Sequence, residues 1–114
     1  ITQKPTVLRT VGFFRLQTKT RTTKMPKFSL GQIVATPAAL KAIHEAGQTP
    51  FFFLQKHHAG DWGEVCSEDG KLNDEALTQG YRLVSAYRTL LNERIWIITE
   101  ADRSATTILL PSEY

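Results

Sequence analysis

Residues 56–64, KHHAGDWGE, hold several side chains that could do chemistry. The metal-ligand types in this stretch are His57, His58, Asp61 and Glu64. Adjacent histidines on a helix point about 100° apart, so both cannot easily face one ion. His57 and Asp61 would share a face only if the helix continued through the intervening glycine. Neither the HExxH pattern nor a cysteine-pair pattern occurs, so we expect no metal site.

The same stretch could instead support acid–base or nucleophilic catalysis. His57 could act as a base oriented by Asp61 or Glu64. A nucleophile could come from one of three side chains: Ser85, Ser104 or Cys66. No catalytic pattern surrounds any of them. The alternative is structural: a histidine near the helix C-terminus binds the exposed carbonyls, Asp61 caps the loop, and Trp62 covers the hydrophobic edge of the sheet.

A second polar cluster lies in residues 99–107, TEADRSATT, at a predicted strand-to-strand turn. Arg103 could pair with Glu100 or Asp102, or hold an acidic or phosphate group. The alternative is an ordinary turn whose exposed ion pair contributes less than about 1 kcal/mol. If the turn lies beside the HHAGDWG loop, with Tyr87 and Trp96 as further walls, a ligand- or partner-binding surface would contain His57, Asp61, Trp62, Glu100, Asp102 and Arg103.

The elements before the C-terminal β-rich region are one strand and three helices. FSLGQIVA predicts a short strand, in which Gly31 could mark a bulge. Thr-Pro pairs predict two helices in close succession, from Thr36 to Gly47 and from Thr49 to Gly60. Residues 61–71 suit a loop. LNDEALTQG predicts a third, short helix, capped by Asn73 or Asp74 and closed by Gly80.

Three strand-like runs follow: YRLVSAYR, RIWIITEA and SATTILL, with Pro111 after the last. Their short connections predict an antiparallel meander. The fold class is therefore α+β: a three-to-four-stranded antiparallel sheet, formed by the C-terminal meander, with two or three helices packed on one face. The first strand or the N-terminal residues could pair along an edge.

Positive charge is concentrated at the N-terminus. Residues 1–24 hold six Lys and Arg and no acid, whereas the remaining ninety hold 8 Lys and Arg against 11 Asp and Glu, a net charge of −3. Met25, the single methionine, looks like a start residue. We therefore expect residues 1–24 to be a basic, threonine-rich leader outside the native fold and residues 25–114 to be one domain. The alternatives are a basic arm that contacts nucleic acid or a partner, or an edge strand containing Val7, Val11, Phe13 and Leu16.

Composition narrows the possible partners. No apolar run approaches the roughly 18 residues that a membrane span needs. A single cysteine argues against a disulfide-bonded secreted scaffold and favours the cytoplasm. Nucleic-acid binding by residues 25–114 is disfavoured by their negative charge. It stays an alternative because the meander interleaves basic with aromatic residues, namely Arg82, Arg88, Arg94 and Arg103 with Tyr81, Tyr87 and Trp96.

Residues 28–114 contain the strings FSLGQIVATPAAL, GDWGE, LNDEAL, SAY and WIITEADRSATTILLPSEY. In these the chain resembles a group of small uncharacterised bacterial proteins carried on plasmids and other mobile elements. The resemblance implies a mobile-gene origin, such as a plasmid or an integron cassette, and favours Met25 as the start. It implies no activity and no catalytic residue. Some proteins of this group are labelled as a restriction-system subunit. A methyltransferase subunit is implausible for this chain, since it lacks a glycine-rich nucleotide-binding turn.

The sequence thus predicts a soluble, cytoplasmic, mobile-element-encoded binding protein without catalytic activity. Its partner would be a protein or a small molecule, and no cofactor, metal or membrane is implied. A homodimer is possible, since small domains often bury an open sheet face in that way. The first alternative is a nucleic-acid-associated accessory protein that uses the arginines of the meander. The second is a small enzyme with a His/Asp site.

Overall fold

The computed structural model describes residues 27–114 and the backbone of a two-residue strand, Phe14–Arg15. The rest of the predicted leader lies outside the described residues. The elements, in chain order, are β1 Phe14–Arg15, β2 Gln32–Ala35, α1 Pro37–Glu45, α2 Pro50–His58, α3 Ser67–Gln79, β3 Leu83–Arg88, β4 Arg94–Thr99, β5 Ala105–Leu109 and a 3-10 turn at Pro111–Glu113. An α+β architecture with a C-terminal meander is confirmed.

The sheet is mixed, with the strand order β1-β2-β5-β4-β3. β3, β4 and β5 are antiparallel, as predicted. β2, however, pairs parallel to β5, with Ile33 opposite Thr106 and Ala35 opposite Ile108. The sheet is therefore mostly, though not purely, antiparallel. Because β5 has a strand on each side, its last four residues are buried, as expected of a central strand.

β1 lies at the edge of the sheet and pairs antiparallel to β2, with Phe14 opposite Ala35 and Arg15 opposite Val34. These two residues belong to the segment predicted to be a leader. The other residues proposed for an edge strand, Val7, Val11, Phe13 and Leu16, lie outside the described residues. The division of the chain at Met25 therefore stays a prediction.

Both Thr-Pro helix starts are confirmed. At α1, the Thr36 hydroxyl accepts a hydrogen bond from the Ala39 N–H at 3.1 Å and donates one to Glu113 at 2.7 Å. At α2, Thr49 occupies the N-cap position without a side-chain capping bond. The two helices pack against one face of the sheet and form a core cluster with Ala35, Tyr87, Ile95, Ile97 and Ile108.

α3 begins at Ser67, earlier than predicted, and the proposed caps Asn73 and Asp74 lie inside it. Glu68 and Asp69 occupy the first turn, where carboxylates favour the positive end of the helix. The glycine at position 70, which suggested a loop, is tolerated within the helix. The predicted end is confirmed, since Gly80 closes the helix in the left-handed conformation.

α3 and the preceding loop cover the edge of β3. The Asn73 side chain donates to the Val84 carbonyl at 2.8 Å and accepts from the Val84 N–H at 3.1 Å. Farther along the strand, the Ala86 N–H donates to the Trp62 carbonyl at 3.1 Å and its carbonyl accepts from the Glu64 N–H at 2.6 Å. An edge strand with satisfied backbone groups cannot easily recruit another strand.

Replacing Asn73 by alanine tests this closure. Asn73→Ala removes both hydrogen bonds to Val84, so we expect the free energy of unfolding to fall by about 1–3 kcal/mol. Urea denaturation measures the change. Gln79→Ala, at an exposed position of the same helix, is the control and should change stability by less than about 0.5 kcal/mol. Equal effects of the two substitutions would contradict a role for Asn73 at the strand edge.

Candidate functional site

His57 lies in the last turn of α2 and is fully buried against the sheet. Its Nδ1 atom is 2.5 Å from the Ser85 hydroxyl on β3, and its Nε2 atom is 2.8 Å from the Thr99 hydroxyl on β4. Leu83, two residues before Ser85 on β3, is also fully buried. The imidazole therefore connects a helix to two strands through both of its ring nitrogens.

His57 belongs to a chain of hydrogen bonds that runs through Thr99 and Thr106 to the Leu30 carbonyl. This carbonyl fixes which group donates at each step. The Thr106 hydroxyl is 2.7 Å from the Leu30 carbonyl, which can only accept, so Thr106 donates to it. Thr99, at 2.7 Å, must then donate to Thr106. With its hydrogen committed, Thr99 accepts from Nε2–H of His57. Because burial keeps the imidazole neutral, Nδ1 carries no proton and accepts from the Ser85 hydroxyl. His57 is thus the neutral tautomer protonated on Nε2.

Burial lowers the pKa of His57 from about 6.5 to about 3, and electrostatic repulsion from His58 and Arg103 contributes to the same shift. Ser85, one of the three predicted nucleophile candidates, is bonded to this histidine and is fully buried as well. A histidine with so low a pKa is a weak general base at neutral pH. The Ser–His pair is closed to substrate in this conformation.

The two predicted polar clusters meet at Phe28, which packs its ring edge against His57 with 5.2 Å between ring centroids. The Phe28 ring also stacks on Trp62 at 6.2 Å, and the Arg103 guanidinium lies 5.9 Å from its centroid. His58 donates from Nε2 to the Phe28 carbonyl at 2.8 Å. Three predicted site residues therefore surround one aromatic ring rather than an open polar pocket.

Asp61 and Trp62 build the loop after α2. The Asp61 carboxylate accepts from the Gly63 N–H at 3.1 Å, and its carbonyl accepts from the Tyr87 hydroxyl at 2.5 Å. Trp62 donates from Nε1 to Asp74 at 3.0 Å. Gly63 has φ of +74°, and a Cβ there would collide with the Ala86 carbonyl. These contacts agree with the structural alternative for this stretch.

Arg103 binds backbone carbonyls rather than a carboxylate. Its guanidinium donates to the Ala76 carbonyl in α3 at 2.8 Å and to the Tyr81 carbonyl after the helix at 2.7 Å. Two weaker bonds reach carbonyls of its own turn. Cationic groups at a helix C-terminus satisfy free carbonyls and favour the helix dipole. The predicted pairing with Glu100 or Asp102 is therefore replaced by a contact between the turn and α3.

Glu100 and Asp102 have other partners. Glu100 forms an ion pair with Arg82 at 3.3 Å. Asp102 accepts a hydrogen bond from the Ser104 N–H at 2.9 Å, and the bonds from Ser104 lower the pKa of its carboxyl group. Trp96, proposed as a further wall of the binding surface, packs against Tyr114 with 5.5 Å between the ring centroids. Ligand binding by the six predicted residues stays a prediction.

One surface feature was missed by the sequence analysis. A groove of about 510 Å³ lies between α1 and α2 and is lined by Pro37, Leu40, Lys41, Ile43, His44, Gln48, Thr49 and Pro50. The tip of the β3–β4 hairpin stands beside it, with Leu90 and Leu91 exposed at 77% and 60%. The Leu90 N–H donates to the Gln48 side chain at 2.9 Å. Two adjacent leucines in a turn were the available signal.

No protein-family model, curated protein or solved structure matches the chain. The mobile-element origin therefore stays a prediction from resemblance. Within residues 27–114, no three His, Cys, Asp or Glu side chains group closely enough to hold a metal ion. No helix in the same part of the chain is long and apolar enough to cross a membrane.

The tautomer of His57 can be observed directly. Two-bond nitrogen–proton NMR spectra should show a proton on Nε2 and none on Nδ1 at neutral pH. A proton on Nδ1 would contradict the direction of the hydrogen-bond chain.

The lowered pKa of His57 predicts how the stability of the protein depends on pH. The unfolded chain takes up a proton at this histidine below about pH 6.5, whereas the folded chain does so only near pH 3. His57 should therefore reduce stability as pH falls between these values, by up to about 1.4 kcal/mol per pH unit. Urea denaturation from pH 7 to pH 4 measures the slope. A His57→Asn variant that folds should lose the part of the slope that His57 contributes. An unchanged slope would contradict the lowered pKa of His57.

Thr99→Val tests the link between His57 and Thr106 in the chain of hydrogen bonds. The substitution leaves Nε2–H of His57 without an acceptor and should lower the free energy of unfolding by about 1–3 kcal/mol. Thr107→Val on β5 is the matched control, because the Thr107 hydroxyl makes no hydrogen bond within the described part of the chain. It should be tolerated better. If both variants unfold at the same urea concentration, Thr99 is not a necessary partner of His57.

Proposed function

We propose that this chain is a small non-catalytic binding protein that docks an apolar segment of a partner protein. The binding surface consists of the Leu90–Leu91 tip and the adjacent α1–α2 groove, here named the tip–groove surface. The observation that carries the proposal is the exposure of Leu90 at 77% beside a groove with apolar walls. Contiguous exposed apolar groups of this kind are characteristic of interaction sites.

The interior argues for binding rather than catalysis. His57, the residue best suited to acid–base work, has both ring nitrogens bonded to buried hydroxyl groups. Its depressed pKa removes it further from the range useful to a general base at neutral pH. The function of a His/Asp enzyme is therefore the least supported of the three considered.

The shape of the surface favours a protein over a small molecule. A groove of about 510 Å³ could hold a small ligand, but the leucine tip projects beside it and needs a partner that covers both. Full burial of one leucine side chain contributes about 1.5–3 kcal/mol. Pro37 and Leu40 supply apolar groove walls, and Lys41 and Gln48 supply a polar rim, the usual arrangement of a protein interface.

Nucleic-acid binding is the weaker alternative because most arginines of the meander have internal partners. Arg82 pairs with Glu100 and Arg88 pairs with Glu64. The Arg103 guanidinium binds backbone carbonyls, as described above. Arg94 is exposed, but one cation gives little affinity for a phosphate backbone.

A mobile-element origin and a cytoplasmic location are part of the same proposal. The resemblance of residues 28–114 to plasmid-borne proteins supports the first. The single cysteine, Cys66, which is exposed and unpaired, supports a reducing compartment for the second.

Peptide selection tests the surface. Random peptides are selected on the full chain, immobilised at low density so that copies do not meet. We expect apolar peptides whose binding shifts NMR signals of Leu40, Lys41 and the tip. Replacing both tip leucines by serine should weaken binding at least about tenfold.

The matched control is Leu72→Ser, which removes a leucine that is 55% exposed on α3, away from the tip. Its peptide affinity should equal that of the wild type. Selected peptides that shift signals only elsewhere, or that bind the tip variant as tightly, would contradict the proposal. So would a selection that yields no binder.

A further inference from the structure

We infer that the partner segment at the tip–groove surface is the same surface of a second copy of this chain. In this dimer, the Leu90–Leu91 tip of each copy lies in the α1–α2 groove of the other. The inference rests on the proposed function, because it assigns an occupant to the same surface.

Symmetry is the first argument. A two-fold interface uses one patch on both subunits, so the patch must contain a projection and a matching depression side by side. The tip–groove surface meets this condition, since the Leu90 N–H donates to Gln48 at 2.9 Å and Gln48 lines the groove. A two-fold axis through this neighbourhood places each tip over the opposite groove.

The tip is held in place before any partner arrives. Thr89 is 4% exposed, and its hydroxyl accepts from the Leu91 N–H at 3.2 Å and the Glu93 N–H at 3.1 Å. Arg88 donates to the Asn92 side chain at 2.9 Å. A preorganised projection loses little conformational freedom on binding, so more of the burial energy of its leucines is available for association.

Charge complementarity is the third argument. Glu93 lies at the end of the tip and Lys41 at the rim of the groove, and both are exposed. The ion pairs of the described residues use neither of them. Glu93 directly precedes β4, and its carbonyl accepts from the Thr89 N–H at 2.9 Å, so the residue is fixed at the base of the tip. A tip inserted into the opposite groove therefore brings Glu93 toward Lys41 of the other copy.

Sedimentation equilibrium of the full chain over a concentration series tests the inference. We expect a monomer–dimer equilibrium. Leu90→Asp should weaken dimerisation at least about tenfold, because it places a charge in an apolar groove. Leu72→Ser should leave the dimer unchanged. Circular dichroism establishes that the variants are folded.

A charge exchange tests the arrangement independently. Lys41→Glu and Glu93→Lys should each weaken the dimer, and the double variant should recover affinity, since the pair is restored with reversed sign. Failure of the double variant to recover would overturn the proposed register.

The outcomes separate this inference from the function on which it rests. A wild-type chain that stays monomeric but binds apolar peptides at the tip–groove surface overturns the dimer and leaves the proposed function standing. A dimer that Leu90→Asp does not weaken also overturns the inference. A monomer that binds no apolar peptide overturns both.

Discussion

The structure depends on keeping a histidine inside its core without leaving either ring nitrogen unpaired. A buried imidazole is costly unless both nitrogens have partners. His57 meets this condition by bonding to Ser85 and Thr99, and the chain continues through Thr106 to the Leu30 carbonyl. Because these groups come from a helix, three strands and the segment before β2, one line of hydrogen bonds fixes how the elements meet.

Side chains also replace main-chain partners at other places in this fold. Asn73 pairs with both backbone groups of Val84 as a neighbouring strand would. Arg103 binds the Ala76 carbonyl near the end of α3. Every side-chain nitrogen and oxygen of the described residues that is completely shielded from solvent has a partner. Polar residues that could suggest a site in a sequence can therefore be fully engaged in positioning elements.

Features that depend on neighbouring residues could be predicted from the sequence, whereas contacts between residues far apart in the sequence could not. Thr36 and Pro37 specify a helix start locally, and the three β-rich runs specify a meander, so both were predictable. The parallel pairing of β2 with β5 joins residues more than seventy positions apart and leaves no local signal. The partners of His57 lie 28 and 42 residues away. The sequence named Ser85 as one of three possible partners of His57, but nothing local indicated Thr99.

Polar groups in the interior are paired, whereas apolar groups at the hairpin tip are exposed. This difference bears on function. Inside, polar groups are paired even where the sequence offers only side chains to pair them. At the hairpin tip, two leucines face solvent although Thr89 holds the turn in place. Leu90 and Leu91 stay 77% and 60% exposed, and serine or asparagine would suit such a turn as well. Their exposure is accounted for when a second surface covers them, which is why the tip rather than the histidine is the better candidate site.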